Sequence, residues 1–388
     1  MKILQLHNYY QRKGGEDVVV ANEKLILQEA GHSVDLLTAH SASISGLASK
    51  VNTVLHTAYN QSARLWLAEK LLALRPDVVH VHNTFPLLSP SVYDACADSN
   101  IPVIQTLHNF RIFCAAATLF RNGSICELCL DGNPFRAVVH RCYRGSVSGS
   151  LASAHMIWYH SKHKTWSTKV TRFIALTKFC RNKYIEAGLP AERIVVKPNF
   201  VVDPGPPDFD RDRFGALFVG RLVPEKGLAE LLASWPANVP LRVLGDGPDR
   251  AILERMAPAN VTFEGQVDAH RIRDAMQTAQ VLVMPSIWQE PGIPIVVLEA
   301  LANGLPFVAY KQGAFPELVD EGRAGLLVDP GTSFALGTVE LMRDVDALER
   351  MSAEGRRLYE RYYTPKHSLD QILSIYEDAI AETQTPSS

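Results

Sequence analysis

Two cationic side chains stand five residues apart in the second half of the chain, directly after an apolar segment. Leu217–Val219 has the composition of a buried strand, and Gly220-Arg221-Leu222-Val223-Pro224-Glu225-Lys226-Gly227 follows it. We predict that this segment opens a helix, so that Arg221 and Lys226 can hold a diphosphate and stabilise the charge that develops when it leaves. The alternative is a solvated charged loop, which is disfavoured because Arg221 comes straight off the strand.

Two glutamates lie further along the chain, on either side of a proline-containing loop. Val281–Met284 predicts a strand, Glu290 lies in the segment after it, and Glu299 lies on the helix that we predict next. Carboxylates in these positions can accept hydrogen bonds from the hydroxyl groups of a ribose and of a sugar. A solvated glutamate is the commoner case, so the pair alone does not define a site.

The first half also carries polar residues where strands are predicted to end. Gly14 and Gly15 precede a helical pattern, and paired glycines let a backbone approach an anion at a helix N-terminus; a plain surface turn is the alternative. His108 follows the predicted strand Val103–Thr106, where it is either catalytic or structural. His82 and Asn83 end another strand and are expected to be supporting pocket residues. We interpret Gly245-Asp246-Gly247 as a structural turn, with a position near a bound nucleotide as the alternative.

Four of the six cysteines lie within 29 residues and form a possible metal site. They are Cys114, Cys126, Cys129 and Cys142, and the middle two form a C-x-x-C motif. Such a set is consistent with a structural tetrahedral zinc, in which His140 could replace one thiol. The alternative is four reduced thiols in a loop-rich insertion, which we place at residues 111–145.

Residues 156–169 combine aromatic and basic side chains in the order Met-Ile-Trp-Tyr-His-Ser-Lys-His-Lys-Thr-Trp-Ser-Thr-Lys. Tryptophan, tyrosine and lysine together suit a membrane interface, where an acceptor on a lipid carrier would be found. The equally weighted alternative is an amphipathic helix whose aromatic rings pack on the N-terminal domain.

Short apolar segments alternate with helical patterns along the chain, which predicts parallel sheets in two doubly wound α/β domains. A proline-rich linker at 202–208 separates two series of such segments. We assign residues 1–199 and a returning helix at 366–383 to the N-terminal domain, and residues 200–365 to the C-terminal domain. Ligands of such sheets bind at the carboxyl ends of the strands, so we expect the two domains to face each other across a shared cleft. The predicted strands are Ile3–Leu6, Ser33–Leu37, Val78–Val81, Val103–Thr106, Phe173–Ala175 and Ile194–Val196, and then Leu217–Val219, Leu241–Leu244, Val261–Phe263, Val281–Met284 and Phe307–Ala309.

Composition excludes several classes of protein. The 388 residues suit two domains, and 47% apolar with 21% charged residues is ordinary for a globular protein. The formal net charge of −2 gives no overall field for nucleic acid, so we expect no nucleic-acid partner. The N-terminal residues do not form a signal peptide and no segment is long enough to span a membrane, so we expect a cytoplasmic location, with peripheral contact at the inner face of the membrane as the alternative.

The order of these motifs resembles that of the retaining glycosyltransferases of family four, which have the GT-B architecture of two Rossmann-like domains. The resemblance covers most of the chain and includes the block that ends Leu298-Glu299-Ala300-Leu301-Ala302-Asn303-Gly304-Leu305-Pro306. It implies that Arg221 and Lys226 grip the donor diphosphate, that Glu299 binds the ribose and that Glu290 binds the transferred sugar. Gly15 would lie near the phosphates, and His108 beside the anomeric carbon.

One spacing departs from the family pattern. Eight residues separate Glu290 from Glu299, one more than is usual in the family. Either the loop 291–294 bulges by one residue, or Glu290 is not the counterpart of the family's first glutamate.

The resemblance implies transfer of a sugar from a nucleoside diphosphate to an acceptor hydroxyl with retention, in the assembly of a surface polysaccharide or related glycoconjugate. No cofactor is required, because basic side chains would take the place of a divalent metal at the leaving diphosphate. The expected partners are a nucleotide sugar and a glycan or lipid-linked acceptor. The alternatives are a nucleotide-sugar epimerase, a phosphorylase, for which no segment recommends a pyridoxal phosphate lysine, and a catalytically inert sugar-nucleotide-binding protein.

Overall fold

Both halves of the chain are built on parallel β-sheets whose strands are short and mostly buried. The structure is a computed structural model that describes residues 1–11, 14–209, 211–320 and 323–384. Strands such as Val281–Met284 are buried at every position, as expected for a sheet that helices cover on both faces. The strands are β1 (Lys2–Tyr9), β2 (Ser33–His40), β3 (Val78–Asn83), β4 (Val103–Leu107), β5 (Phe120–Arg121), β6 (Ser124–Ile125), β7 (Arg172–Ala175), β8 (Ile194–Val196), β9 (Ala216–Val219), β10 (Leu241–Leu244), β11 (Val261–Gly265), β12 (Val281–Met284), β13 (Phe307–Tyr310) and β14 (Gly325–Val328).

Helices connect the strands, and several begin at a side chain that caps the first turn. Thr177, Asp268 and Ser333 each accept a hydrogen bond from a backbone N–H of the helix that follows. The helices are α1 (Gly15–Glu29), α2 (Gly46–His56), α3 (Gln61–Leu74), α4 (Val92–Asp98), α5 (Arg136–Val139), α6 (Val147–Lys162), α7 (Thr165–Lys169), α8 (Lys178–Glu186), α9 (Leu228–Ser234), α10 (Arg250–Met256), α11 (Ala269–Thr278), α12 (Ile295–Ala302), α13 (Phe315–Asp320), α14 (Phe334–Arg343), α15 (Val345–Tyr362) and α16 (Pro365–Gln384). Short 3-10 turns lie at Ser41–Ser43, Ala191–Arg193 and Pro224–Lys226.

The chain divides into two compact units. The first comprises Met1–Leu119, Cys126–Pro198 and Ser368–Ser388, and the second comprises Phe120–Ile125 and Asn199–His367. Each unit contains one six-stranded parallel sheet, and the prediction of two doubly wound α/β domains is thereby confirmed.

Strand order within each sheet determines where a ligand site can form. The second sheet has the order β11-β10-β9-β12-β13-β14, so the direction of winding reverses between β9 and β12. The first sheet has the order β2-β1-β3-β4-β7-β8 and reverses between β1 and β3. Loops diverge at such a reversal and leave a crevice beyond the carboxyl ends of the strands. The residues that follow β9 and β12, and those that follow β1 and β3, therefore lie at these crevices.

Each sheet is covered by apolar side chains on both faces. In the first unit, one of the two faces packs against α16 through Ile372, Ile375, Tyr376 and Ala379. These side chains lie against strand residues that include Ile3 of β1. The terminal helix is thus part of the core of the first unit, although it is far from that core in sequence.

All strands predicted from the sequence are present, and most extend by one to four residues beyond the predicted bounds. Strand β14 was not predicted. Its sequence Gly-Leu-Leu-Val begins with a glycine and contains one β-branched residue, which is a poor strand signal. It is nevertheless a strand because it pairs with β13 along its whole length.

We expect Ile372→Ala to destabilise the first unit by roughly 2–5 kcal/mol, because it empties a fully buried position in α16. Ser374→Ala in the same helix is exposed and should change stability by less than about 0.5 kcal/mol. Hydrogen exchange with mass spectrometry would measure the protection of backbone amides in both variants. If protection of β1 and β3 is the same in Ile372→Ala as in the native protein, α16 does not stabilise this unit.

Candidate active site

The turn after β9 is fixed by backbone packing against the turn after β10. A Cβ on Gly245 would lie 1.9 Å from the carbonyl oxygen of Gly220, and one on Gly247 would lie 2.1 Å from that of Leu222. Only glycine permits this approach, so the structure gives Gly245 and Gly247 a structural role. Arg221 projects from the supported turn with 58% of its side chain exposed, and its nearest carboxylate is Glu225 at 3.9 Å.

Lys226 lies one turn further on, against the loop that follows β12. Gly227 has a positive φ of 68°, and a Cβ there would lie 2.0 Å from the carbonyl oxygen of Pro285. The amide of Ile287 donates to the carbonyl of Glu225 at 3.0 Å. These contacts bring the Lys226 ammonium to 2.5 Å from Oε1 of Glu290, with both side chains largely buried.

Three donors converge on a single oxygen of Glu290. Besides Lys226, the indole N–H of Trp288 reaches Oε1 at 2.9 Å and the hydroxyl of Ser286 reaches it at 3.3 Å. Within the described ranges, Oε2 of Glu290 takes part in no hydrogen bond, so it is available to a further donor. Residues 291–294 lie between Glu290 and α12, and Glu299 lies within that helix. Whether Glu290 is the counterpart of the family's first glutamate stays a prediction.

Glu299 has the opposite environment. It lies in α12, is half-buried, and has no side-chain hydrogen bond or ion pair with any residue that the structure describes. Burial without a cationic partner raises the pKa of this carboxyl to about 7. A carboxylate that is desolvated but unpaired can gain hydrogen bonds from ligand hydroxyl groups.

In the first unit, the N-terminus of α1 is already occupied by carboxylates. Asp17 accepts a hydrogen bond from the amide of Gly14 at 2.9 Å, and its other oxygen lies 2.9 Å from Nε2 of His7. Glu16 is also in the first turn of the helix. The Gly14 amide is thus engaged within the protein, and the placement of Gly15 near donor phosphates stays a prediction.

His108 follows β4 and is half-buried beside the end of β3. Its Nε2 lies 3.1 Å from Nδ1 of His82, and the two rings are stacked. Burial lowers the pKa of His108 to about 4, so the imidazole is neutral at physiological pH. Both histidines and Asn83 line one small cavity of the first unit.

Two charged residues behind this histidine pair were not anticipated from the sequence. Lys197 follows β8, and its ammonium lies 2.8 Å from Glu23 of α1, with both side chains only 2% exposed. A lysine that directly follows a predicted strand is a signal that could have identified it, as it did for Arg221. Glu23, His80 and His82 offer ligand atoms within 4.8 Å of one another, but Lys197 already supplies the cation that this carboxylate pairs with.

The cysteine-rich insertion brings several of its thiols near one another. None of the six cysteines is in a disulfide. Burial, followed by the nearby thiols of Cys114, Cys142 and Cys126, raises the pKa of Cys129 to about 11. Among the described residues, the sets of three ligand atoms that lie within 4.8 Å contain no cysteine, so the zinc hypothesis stays a prediction.

The aromatic and basic segment 156–169 has one buried and one exposed face. Met156, Ile157 and Trp166 are buried, whereas residues 161–164 and Trp158, which stacks on His155, are exposed. This pattern favours the amphipathic-helix interpretation, and membrane contact through the segment stays a prediction. No helix in the described part of the chain is both long and apolar enough to cross a bilayer.

Comparison with known proteins gives matches over most of the chain. Residues 13–203 match the family model described as Glycosyltransferase Family 4, and residues 213–344 match the one described as Glycosyl transferases group 1. The chain is 30% identical to a phosphatidyl-myo-inositol mannosyltransferase of Mycobacterium leprae, over 55% of this chain and 61% of the relative. It is 28% identical to an alpha-D-kanosaminyltransferase of Streptomyces kanamyceticus, over 52% of this chain and 53% of the relative. The matches thus span between half and two thirds of these curated relatives.

Solved structures resemble the chain over nearly its whole length. Anabaena HepE in complex with UDP has a TM-score of 0.67 at 18% identity, covering 97% of this chain and 100% of that one. Sucrose-phosphate synthase of Thermosynechococcus elongatus has a TM-score of 0.71 at 15% identity, covering 98% and 100%. At these identities the likeness concerns the fold.

We expect Glu299→Gln to stabilise the protein at pH 8 and to have little effect at pH 5. The unfolded carboxyl ionises near pH 4.5 and the folded one near pH 7, so stability is lost as pH rises between these values. The amide avoids this loss, and the gain at pH 8 should be about 3 kcal/mol. Urea unfolding at both pH values would measure it, with the exposed Glu349→Gln as the control. An equal difference at pH 5 and pH 8 would contradict the raised pKa.

If the insertion holds zinc, reduced protein loaded with zinc and then desalted should retain about one equivalent. Replacing Cys126 and Cys129 by serine should abolish that retention, because a tetrahedral site would lose two ligands. Cys96→Ala is the control, since Cys96 lies in α4 away from the insertion. Elemental analysis with no zinc above the level of the double variant would exclude the site.

Proposed function

The chain belongs to the glycosyltransferases of family four, which have the GT-B architecture, and we propose that it transfers a sugar from a nucleoside diphosphate to an acceptor hydroxyl with retention of the anomeric configuration. The observation that carries this proposal is the position of Arg221, Lys226 and Glu290 at the reversal between β9 and β12. Two cations and a carboxylate at such a crevice match a diphosphate joined to a polyhydroxylated ring.

Each charged side chain has a role that its contacts support. Arg221 is exposed and weakly paired, so its guanidinium can bind a phosphate without first breaking a strong contact. The Lys226 ammonium has three N–H donors and spends one on Glu290, which leaves the others for the diphosphate and for the charge that develops on it. No metal ion enters this proposal.

The two glutamates bind the hydroxyl-bearing parts of the donor. Glu290 is oriented through Oε1 and offers Oε2 to a hydroxyl of the transferred sugar. Glu299 offers a desolvated carboxylate to the ribose hydroxyls, and these hydrogen bonds replace the water that it lost on folding. In the first unit, His108 contacts the transferred sugar near its anomeric carbon.

We infer that the acceptor is a glycan or a lipid-linked intermediate of a surface polysaccharide or glycoconjugate. Relatives are named for phosphatidyl-myo-inositol mannosylation and, in Bacillus subtilis, for teichuronic acid biosynthesis. The fold accommodates many donors and acceptors, so the base and the sugar of the donor must be identified by measurement.

The proposal is tested by incubating the protein with UDP-, GDP- and ADP-sugars and following thermal stabilisation and nucleoside diphosphate release. One sugar nucleotide should stabilise the protein, by about 2.7 kcal/mol at 100 times its dissociation constant. Release should accelerate with an acceptor, and the anomeric coupling of the product should match that of the donor. Conversion of the sugar nucleotide without an acceptor would indicate an epimerase, and binding without turnover would indicate an inert binding protein.

Arg221→Ala should weaken binding of that nucleotide about tenfold or more without lowering stability, because one charge-assisted hydrogen bond is lost. Arg357→Ala is the matched control: this arginine is also exposed and paired with a nearby glutamate, but it lies in α15. Calorimetric titration would compare the two. Equal affinities would remove Arg221 from the donor site.

A further inference from the structure

A row of four buried or half-buried side chains leads from the interior of the first unit to His108. Lys197 lies 2.8 Å from Oε1 of Glu23, and Oε2 of Glu23 lies 3.5 Å from Nε2 of His82. Nδ1 of His82 then lies 3.1 Å from Nε2 of His108. The row links a fixed positive charge to a ring that is expected to contact substrate.

Two atoms in the middle of this row are buried, and neither has a hydrogen-bond partner among the residues that the structure describes. They are Oε2 of Glu23 and Nε2 of His82, and they face each other. A proton on Nε2 of His82 would be attracted to the carboxylate, which lies 3.5 Å away. The other tautomer would place a nitrogen lone pair against a carboxylate and leave two buried polar atoms unsatisfied, which costs free energy twice.

The charge states of these groups support that assignment. Burial opposes ionisation of Glu23, but the ammonium of Lys197 holds the pKa of this carboxyl below its ordinary value. Burial and the neighbouring His80 lower the pKa of His82 well below its ordinary value, so it carries one proton. Nδ1 of His80 lies 3.7 Å from the same carboxylate oxygen, but both ring nitrogens of His80 have nearer partners, the hydroxyl of Tyr376 at 2.7 Å and that of Thr106 at 2.8 Å.

The tautomer of His82 determines that of His108. With its proton on Nε2, His82 can only accept at Nδ1, so Nε2 of His108 must be the donor of their hydrogen bond. Nδ1 of His108 is then unprotonated. His108 makes no other hydrogen bond with the residues that the structure describes.

We propose that Glu23 and His82 are positioning residues that hold His108 in its Nε2-protonated tautomer, so that Nδ1 accepts a hydrogen bond from a hydroxyl group of the bound sugar. The inference rests on the proposed function for the identity of the ligand, but the tautomer itself does not depend on it. The low pKa of His108 makes its ring a poor base, so the role assigned to Nδ1 is to orient the sugar by accepting a hydrogen bond.

Ring nitrogen NMR of histidine-labelled protein tests the tautomer directly. The signals of His108 are assigned by their loss in His108→Gln. In the native protein we expect Nε2 to be protonated and Nδ1 unprotonated, and the reverse assignment would overturn the proposal. Apart from the variant used for assignment, this measurement needs only the native protein without substrate.

Glu23→Gln tests whether the carboxylate sets the tautomer. The amide oxygen of the introduced glutamine must face the Lys197 ammonium. The NH₂ group of the same amide then faces Nε2 of His82 and donates to it. His82 would then carry its proton on Nδ1, and His108 would be protonated on Nδ1 instead of Nε2. Glu186→Gln is the control, because it makes the same change of side chain in the first unit at a carboxylate that also pairs with a lysine, Lys183 of α8. An unchanged His108 tautomer in folded Glu23→Gln would overturn the role of Glu23.

Binding measurements connect the tautomer to the sugar. Glu23→Gln should lower the affinity for the sugar nucleotide about tenfold and change the affinity for the nucleoside diphosphate by less than about twofold, because only the sugar contacts His108. A general loss of structure in the variant would weaken binding of both ligands, and circular dichroism would show the loss of secondary structure. If the native protein binds no sugar nucleotide, the proposed function fails, whereas the spectra still decide whether Glu23 and His82 set the tautomer.

Discussion

A buried charge is costly without a partner of opposite charge, and in each unit a largely buried lysine pairs with a glutamate. Lys197 pairs with Glu23, and Lys226 pairs with Glu290. The partners are 174 and 64 residues apart in sequence, so each pair forms only when separate elements pack correctly. Removing one partner of such a pair typically costs 3–5 kcal/mol because the other charge stays buried and unpaired. The two pairs thereby fix α1 against its sheet and the loop after β12 against the turn after β9.

The groups proposed to meet the ligand differ from these pairs because they lack strong protein partners. Arg221 is exposed, Oε2 of Glu290 is free of hydrogen bonds within the described residues, and Glu299 is desolvated without a cation. Such an arrangement lowers the stability of the free protein, most clearly at Glu299, whose pKa is raised to about 7. The same arrangement leaves hydrogen-bonding capacity for a ligand, so stability and binding are opposed at these positions.

The parallel sheets explain why the candidate site residues lie at one edge of each unit. The strands of a parallel sheet all end on the same side, and their loops diverge where the winding reverses. In the second sheet the reversal lies between β9 and β12, which are followed by Arg221 and by the Glu290 loop. In the first sheet it lies between β1 and β3, which ends at His82 and Asn83. In both units, polar side chains therefore lie where the winding of the sheet reverses, although the side chains themselves differ.

The sequence by itself determined the class of fold and the segments that carry the chemistry, because strand and helix patterns are local and polar residues after apolar segments mark strand ends. It did not reveal β14, whose strand state depends on pairing with β13. It gave no indication that Asp17 occupies the Gly14 amide, that Glu290 pairs with Lys226, or that Glu23 and Lys197 lie behind His108. Most of these contacts join elements that are distant in sequence, and all depend on how side chains pack in three dimensions. Only the tertiary structure decides them, because burial is what makes each partner necessary.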